Sequence, residues 1–213
     1  MPKSAEVQRC VWSTASPLYM EYHDTEWGRP NSDDRYLCEK ICLEGFQAGL
    51  SWLTILNKRE AFRKAFRNFE VDAIVKFREN DIEQLVADVG IVRHRGKIES
   101  TINNAARAIE LREEFGSLAN FIWQFEPSPA DRPQHLSLEV LRTMTTSPES
   151  IALSKALKKR GWTFVGPTTM YAFMQSIGLV NDHLHDCTFR DAALKARKRF
   201  KKPSKLYACA MPL

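Results

Sequence analysis

The sequence contains no long apolar run: nowhere do the roughly eighteen consecutive apolar residues of a membrane-spanning helix occur. The first residues, MPKSAEVQRC, carry no apolar segment after their lysine, so we expect no secretory signal peptide. Cysteine is scarce and odd in number, with five residues. This composition predicts a cytoplasmic protein with reduced thiols, in which cysteine is more often a ligand or a core residue than half of a disulfide.

Most of the chain also lacks an excess of positive charge. The formal net charge is +5, but residues 195–213, KARKRFKKPSKLYACAMPL, hold seven lysines and arginines and no acid. Residues 1–194 therefore have a formal charge of −2. The overall pI is weak evidence for nucleic-acid binding, and any phosphate contacts must come from a local patch, a helix N-terminus or the basic tail.

Alternating β-strand patterns are missing, whereas apolar residues repeat at helical spacing. Helix starts are indicated by NSDD at 31–34 and SPES at 147–150, and EPSPADRPQ at 126–134 is the best candidate for an internal loop. We predict an all-α protein of about eight to ten helices without fixed repeats. Three apolar helix faces support this: Ile82, Leu85, Val86 and Val89; Ile98, Ile102, Ala105 and Ile109; Met170, Phe173, Met174 and Ile177.

The stretch GLVNDHLHDCTF, 178–189, raises the question of a metal site. His183 and Cys187 are four residues apart and would share one face of a helical turn, so one ion could contact both. A structural zinc needs more ligands, and Cys10 and His23 near the N-terminus could supply a second Cys-His pair. The spacing is not that of a classical finger. The alternative is a helix end with a capping histidine.

The segment DIEQLVADVGIVRHRGKIESTINNAARAIEL predicts two amphipathic helices joined by a turn with Gly90 and Gly96, the second helix beginning near Lys97. Backbone N–H groups exposed beside a helix N-terminus bind phosphate. This pattern indicates a helix-hairpin-helix motif that grips a DNA backbone without reading its sequence. A plain helical hairpin with a solvated basic turn remains the alternative. Four side chains in the turn are potential donors: Arg93, His94, Arg95 and Lys97.

The stretch LEGFQAGLSW, 43–52, places Glu44 in apolar surroundings, where a carboxylate is costly unless it is paired or has a function. A surface glutamate on the outer face of a helix is the alternative. The N-terminal third is rich in aromatic side chains, which suit either a core or a pocket that stacks a planar base or attracts a cation. These are Trp12, Tyr19, Tyr22, Trp27 and Trp52.

Taken together, these features resemble the DNA-3-methyladenine glycosylase I family of the helix-hairpin-helix superfamily. The resemblance covers about residues 9–190 in order. It implies an all-α helix-hairpin-helix glycosylase fold with a zinc site joining the N- and C-terminal segments. It also implies a flexible N-terminus at 1–8, a glycosylase domain at 9–190 with the hairpin at about 81–110, and a basic extension at 191–213. The residues that carry it are RCVW, PLYMEYHDTEWG, ICLEGFQAGLSW, GIVRHRGKI, LSKALKKRGWTFVGPTTMYAFMQSIGLVNDH and Cys187.

The resemblance also implies a role for each candidate residue. One structural zinc per chain would be bound in a closed tetrahedral site by Cys10, His23, His183 and Cys187. Glu44 would be the catalytic-site carboxylate, acting in base binding and discrimination and not in proton transfer. The flipped base would be bound by Tyr22, Trp52, Tyr19, Trp12 and Trp27. DNA would be contacted by Gly90, Arg93, Arg95, Gly96 and Lys97.

The implied reaction is removal of 3-methyladenine from alkylated double-stranded DNA by base flipping and hydrolysis. The second hairpin helix, GKIESTINNAARAI, contains no aspartate, and no lysine is implicated as a Schiff-base nucleophile. We therefore expect a monofunctional glycosylase that leaves an abasic site and binds free 3-methyladenine as product. We also expect a monomer without membrane contact, located in the bacterial cytoplasm with the nucleoid.

Two departures from the family pattern stand out. Val11 replaces a usual glycine and could shift the Cys10 loop or narrow the rim of the pocket. The basic run KARKRFKKPSK lies beyond the family core and is either a solvated helix end or a tail that attracts phosphate. Two other functions compete with the glycosylase: a non-catalytic DNA-binding module, and a zinc hydrolase, which would need an exchangeable water at the metal.

Overall fold

A computed structural model describes residues 7–204, and within that range the chain forms helices and loops with no β-strand. The all-α prediction is confirmed. The α-helices are α1 (Pro17–Thr25), α2 (Asp34–Gln47), α3 (Trp52–Asn57), α4 (Arg59–Ala65), α5 (Val71–Ile74), α6 (Glu79–Ala87), α7 (Arg95–Phe115), α8 (Leu118–Ile122), α9 (Leu138–Thr143), α10 (Pro148–Lys159), α11 (Pro167–Ser176) and α12 (Arg190–Arg199). Short 3-10 helices occupy Val11–Ala15, Arg67–Phe69, Trp123–Phe125 and Pro129–Asp131.

Side-chain caps define several helix starts, as the sequence indicated. The Asp33 side chain accepts a hydrogen bond from the backbone N–H of Tyr36 at the start of α2. Ser147 does the same for Ser150, with Pro148 in the first turn of α10. Each cap satisfies an N–H group that has no partner inside its own helix.

Helix α2 lies at the centre of the fold. It packs against α3, α7, α8 and α11, and α10 packs on α11. Its buried face includes Leu37, Ile41 and Phe46, which belong to one continuous apolar core. The ring of Phe46 also contacts Phe62 of α4, with centroids 4.6 Å apart. Because α2 is packed on several sides, the side chains that it presents to a cavity are rigidly positioned.

Three details differ from the sequence expectations. The α-helices of the described range outnumber the predicted eight to ten because short helices such as α5 and α8 have too few residues to show a period. Val89 lies beyond the end of α6 and is 72% exposed, so it does not continue the apolar face. Residues 183–187 form an irregular turn, so the helical turn that we predicted for His183 and Cys187 was wrong.

The basic run after residue 190 begins as helix α12 and then folds back onto the domain. The Arg197 guanidinium forms an ion pair with Glu126 and lies 5.3 Å from the ring centre of Trp123. Phe200 packs on the same Trp123 ring, with centroids 4.5 Å apart. Part of this run is therefore attached to the body, while residues 205–213, like 1–6, lie outside the described range. No helix in the described range has the length and apolarity needed to cross a bilayer.

Candidate active site and metal centre

A cavity of about 320 Å³ opens beside the C-terminal half of α2. Helices α1, α2, α3, α9 and α11 contribute to its wall, so its shape depends on segments far apart in sequence. The predicted carboxylate and all five predicted aromatic residues lie in one lining. The lining comprises Trp12, Tyr19, Tyr22, Trp27, Glu44, Gln47, Trp52, Leu141, Met144, Ala172 and Gln175.

Glu44 is the buried acid of this cavity. Only 4% of the residue is exposed, so the structure excludes a surface glutamate on an outer helix face. Burial raises the pKa of its carboxyl to about 7, although the ammonium of Lys40 acts in the opposite direction. The carboxyl thus changes charge near neutral pH, and a nearby cation would favour its ionised form.

Lys40 lies one helical turn before Glu44 on the same face of α2, and the sequence analysis missed it. The side chain is fully buried, and its Nζ donates a hydrogen bond to the Tyr22 hydroxyl at 2.8 Å. Nζ also lies 4.6 Å from the Tyr22 ring centre and 4.3 Å from the Trp52 ring centre. Burial lowers the pKa of Lys40 to about 8. At neutral pH a cation therefore lies against two of the aromatic rings of the cavity.

The remaining aromatic side chains form a second part of the wall. The Trp12 ring contacts the rings of Tyr19 and Trp27, with centroids 5.0 and 4.8 Å apart. Burial raises the pKa of Tyr19 to about 12, so its hydroxyl stays protonated at neutral pH. Large, mutually packed rings offer extended faces to a planar ligand without needing to rearrange.

A buried ionic network supports this wall from behind. Glu26 accepts hydrogen bonds from Arg59 at 2.6 and 2.9 Å and from the Tyr36 hydroxyl at 2.9 Å. Arg59 also donates to Glu39 at 2.5 Å, and Lys40 Nζ lies 3.7 Å from Glu26. Burial acts to raise the pKa of the Glu26 carboxyl, but the charge of Lys40 and the hydrogen bonds from Arg59 and Tyr36 together lower it below its ordinary value. The network holds Lys40 in place by supplying compensating negative charge.

The four predicted metal ligands meet at one buried point. The candidate ligand atoms of Cys10, His23, His183 and Cys187 all lie within 4.8 Å of one another. His183 Nδ1 is 3.0 Å from His23 Nε2 and 3.4 Å from the Cys187 sulfur. Such a set, from opposite ends of the chain, could hold a metal ion that joins the N- and C-terminal segments.

The outer nitrogens of both imidazoles are already engaged. His23 Nδ1 lies 2.8 Å from Asp24 Oδ1, and His183 Nε2 lies 3.1 Å from the carbonyl oxygen of Trp27. Each histidine therefore turns its other nitrogen toward the cluster, as metal-binding histidines usually do. Two thiols and two such imidazoles match the tetrahedral Cys2His2 preference of zinc.

Val11 and His185 are neighbours of the cluster residues in sequence but are not part of the cluster. Val11 is 64% exposed at the start of a 3-10 helix, while Cys10 remains fully buried in the cluster. The Val11 side chain therefore points away from the buried Cys10, and its effect on the Cys10 loop or on the rim of the pocket stays a prediction. His185 is exposed and outside the ligand set, and its ring lies 4.2 Å from that of His135.

The predicted hairpin corresponds to α6, a loop at residues 88–94, and α7. Lys58 Nζ donates to the carbonyl oxygens of Val89 and Gly90 at 2.9 and 3.2 Å, which anchors the loop to the α3–α4 junction. A Cβ at Gly90 would lie 3.1 Å from the Ala61 Cβ, so glycine allows this close approach. Arg93 is exposed, while Arg95 forms ion pairs with Glu79 and Glu99 on the surface.

Lys97 is not available as a phosphate donor on this surface. The residue is only 7% exposed, and its Nζ donates to the carbonyl oxygens of Phe46 and Ala48 at 2.8 and 2.6 Å. These carbonyls belong to the C-terminal end of α2, which attracts cations. We therefore correct the predicted role: Lys97 fixes the hairpin helix to the helix that carries Glu44. The spacing could not distinguish this lysine from its exposed neighbours.

The loop between α2 and α3 joins two parts of the cavity wall. It runs from Gln47 to Trp52, both of which line the cavity, and its tip includes Leu50, which is 42% exposed. Gly49 has a φ of +82°, a left-handed conformation that favours glycine. The sequence analysis did not identify Leu50. The feature that distinguishes Leu50, a large apolar side chain exposed to solvent beside a cavity, is visible only in the structure.

Comparisons with known proteins give the family. The methyladenine glycosylase family model matches residues 12–191. DNA-3-methyladenine glycosylase 1 of Escherichia coli K12 is 47% identical over 181 residues, covering 85% of this chain and 96% of that protein. A crystal structure of a 3-methyladenine DNA glycosylase I superposes with a TM-score of 0.78 at 48% identity, covering 85% of this chain and 98% of the other.

A third comparison is a structure of the Staphylococcus aureus 3-methyladenine DNA glycosylase I, which describes how that enzyme recognises 3-methyladenine. It is 35% identical with a TM-score of 0.78, and the match covers 85% of this chain and 96% of the other. Sequence and structure thus agree over nearly the whole length of these proteins. The chain belongs to the methyladenine glycosylase family.

Proposed function

We propose that the protein is a monofunctional DNA glycosylase that removes 3-methyladenine from alkylated double-stranded DNA and leaves an abasic site. The observation that carries this proposal is a buried carboxyl, Glu44, in a cavity walled by aromatic rings. The family supports the same reaction, because the curated relatives are DNA-3-methyladenine glycosylases.

Discrimination follows from the charges of the cavity. In DNA a 3-methyladenine base carries a positive charge, whereas adenine is neutral. The cation favours the ionised form of Glu44, and that carboxylate accepts a hydrogen bond from the exocyclic amine. The Tyr22 hydroxyl accepts from Lys40, which leaves its own hydrogen free to be donated to a ring nitrogen. A donor and an acceptor at fixed positions, together with stacking on Trp52, select one edge of the base.

The chemical step requires little acid catalysis from the protein. A cationic base is a good leaving group, so the N-glycosidic bond breaks toward an oxocarbenium-like sugar, and water completes the hydrolysis. The base leaves as neutral 3-methyladenine, which the same pocket binds as product. Extruding the base from the duplex costs a few kcal/mol for unstacking, and each aromatic contact in the pocket offsets this by about 1–3 kcal/mol.

Zinc is the ion that we propose for the buried cluster, one per chain. Cys10, His23, His183 and Cys187 would hold it, and four protein ligands leave no position for a reactive water. The ion would supply structural stability and no step of the reaction. It would also support the pocket, because the ligand His183 contacts the backbone of Trp27. This ligand set argues against a zinc hydrolase.

DNA would lie across the hairpin and the mouth of the pocket. We propose that the loop and first turn of α7, with Gly90, Arg93, Arg95 and Gly96, form a helix-hairpin-helix contact to the phosphate backbone. Leu50, exposed between two pocket residues, would occupy the space that the flipped nucleotide leaves in the duplex. One binding face is sufficient for this arrangement, so we propose that the protein acts as a monomer.

Base release tests the proposal. The protein is incubated with methylated duplex DNA, free bases are separated by chromatography, and the DNA is assayed for abasic sites and strand breaks. We expect 3-methyladenine and abasic sites without enzymatic nicks. Glu44→Gln should abolish release while changing DNA affinity by only a few-fold. A metal-loaded, folded protein that binds DNA but releases no base would favour the non-catalytic DNA-binding module instead.

A further inference from the structure

Phe164 has a strained and unusual position. It lies in the loop between α10 and α11 with a φ of +54°, in the left-handed region that β-carbon-bearing residues rarely adopt. The residue is 39% exposed, so a large apolar side chain remains partly open to solvent. Such a backbone conformation is unfavourable for a residue with a β-carbon and persists only where the surroundings enforce it.

Helix α7 enforces this conformation with a set of polar contacts. Asn104 accepts a hydrogen bond from the backbone N–H of Thr163 and donates one to its carbonyl oxygen, both at 3.0 Å. The Thr163 hydroxyl donates to Ser100 at 2.6 Å, and Asn103 donates to the carbonyl oxygen of Gly161 at 2.8 Å. The residue before Phe164 is thus held by its backbone and its side chain. Three polar residues of the hairpin helix fix a loop that displays an aromatic ring.

The ring lies between the hairpin and the helix that carries Glu44. The Phe164 ring packs edge-on against the ring of His94, the capping residue of α7, with centroids 6.3 Å apart. On the other side, a Cβ at Gly45 would lie 3.3 Å from the Phe164 Cβ, so a glycine next to Glu44 leaves room for this loop. Phe164 is therefore adjacent both to the proposed phosphate contact and to α2, the helix that carries Glu44.

We infer that Phe164 contacts DNA, packing its ring against deoxyribose and base edges of the duplex beside the flipped nucleotide. This inference rests on the proposed function. Backbone strain combined with a partly exposed ring indicates a partner outside the domain, because a ring that served only the core would be buried. The position of Phe164 beside the proposed phosphate contact favours duplex DNA as this partner, since phenylalanine side chains pack against nucleotides in bent DNA. Phe164 would act together with the hairpin.

Two substitutions of Phe164 distinguish a DNA contact from a structural role. Phe164→Gly removes the ring and relieves the left-handed strain, and Phe164→Ala removes the ring alone. Leu194→Ala, in α12, is the matched control because Leu194 is also 39% exposed but lies on α12, where it lines a different cavity with Glu126 and Arg197. Affinity for a duplex with an uncleavable abasic-site analogue is measured by fluorescence anisotropy, and free 3-methyladenine is titrated separately.

We expect both Phe164 variants to bind the duplex about tenfold more weakly, the size of one lost aromatic contact, with free-base affinity within about twofold of wild type. The Leu194 control should match wild type in both assays. The inference is overturned if both Phe164 variants keep wild-type duplex affinity. It is equally overturned if duplex and free-base affinity fall together, because the ring would then support the pocket. Absence of base release by the wild type is a separate outcome, which contradicts the proposed function.

Discussion

Replacing Glu44 by glutamine should stabilise the protein at alkaline pH and not at acidic pH. The carboxyl has a folded-state pKa of about 7, against the ordinary value of 4.5. The folded protein therefore holds a proton on Glu44 between these values that the unfolded chain has lost, and stability falls as pH rises from about 4.5 to about 7. At pH 8 the ionised carboxylate lowers the free energy of unfolding by about 3 kcal/mol, at about 1.36 kcal/mol per pKa unit.

Thermal unfolding of both proteins across pH 5 to 8 measures this effect. Glutamine has nearly the same shape and no charge, and Lys40 keeps Glu26 as a neighbour 3.7 Å away. The Tm of Glu44→Gln should exceed that of wild type by roughly 6 to 12 °C at pH 8, with most of the difference gone at pH 5. Metal content is held equal in both samples. A Tm difference independent of pH would refute the reasoning, since it could not come from ionisation of Glu44.

Three further predictions concern the rest of the site. Lys40→Met removes the donor to the Tyr22 hydroxyl, so base release from methylated DNA should fall by about tenfold or more, with duplex affinity unchanged; equal losses in both assays would contradict a role within the pocket. Removal of the metal by a chelator, verified by native mass spectrometry, should lower the Tm by roughly 10 °C or more and weaken 3-methyladenine binding. A metal-free protein with an unchanged Tm would contradict the proposed structural role. Arg93→Glu should weaken binding to duplexes of any sequence and reduce the salt slope by about one, and an unchanged slope would place Arg93 outside the interface.

The sequence predicted the helical architecture because its apolar periodicity is strong in the long helices. The faces of α7 and α11 are recognisable from Ile98, Ala105, Met170 and Phe173, all of which are buried. The irregular turn at 183–187 was not predictable in this way, because its conformation depends on contacts with the N-terminal segment, such as the bond from Leu184 to the Cys10 sulfur. Spacing alone could suggest the ligands but not the backbone that brings them together.

Two of the residues that the sequence analysis missed or misassigned are lysines in non-local contacts. Lys40 and Lys97 look like ordinary surface residues of amphipathic helices, and lysine is rarely buried. Their positions are explained only by partners distant in sequence: the Tyr22 hydroxyl and Glu26 for the first, and the carbonyl groups at the end of α2 for the second. Such burial requires compensation that a one-dimensional pattern does not contain.

The cluster formed by Cys10, His23, His183 and Cys187 also fixes the order in which the enzyme can be completed during synthesis. Cys10 and His23 precede His183 and Cys187 by more than 150 residues, so the second pair leaves the ribosome later than the first. The aromatic wall from Trp12 to Trp27 is packed beside the early members and contacts His183 directly. The cavity also needs α11, which supplies Ala172 and Gln175 to its wall and packs on α2, so it closes only after these late segments are present. A truncated chain that ends before His183 would contain the hairpin but lack two of the four cluster residues beside the cavity.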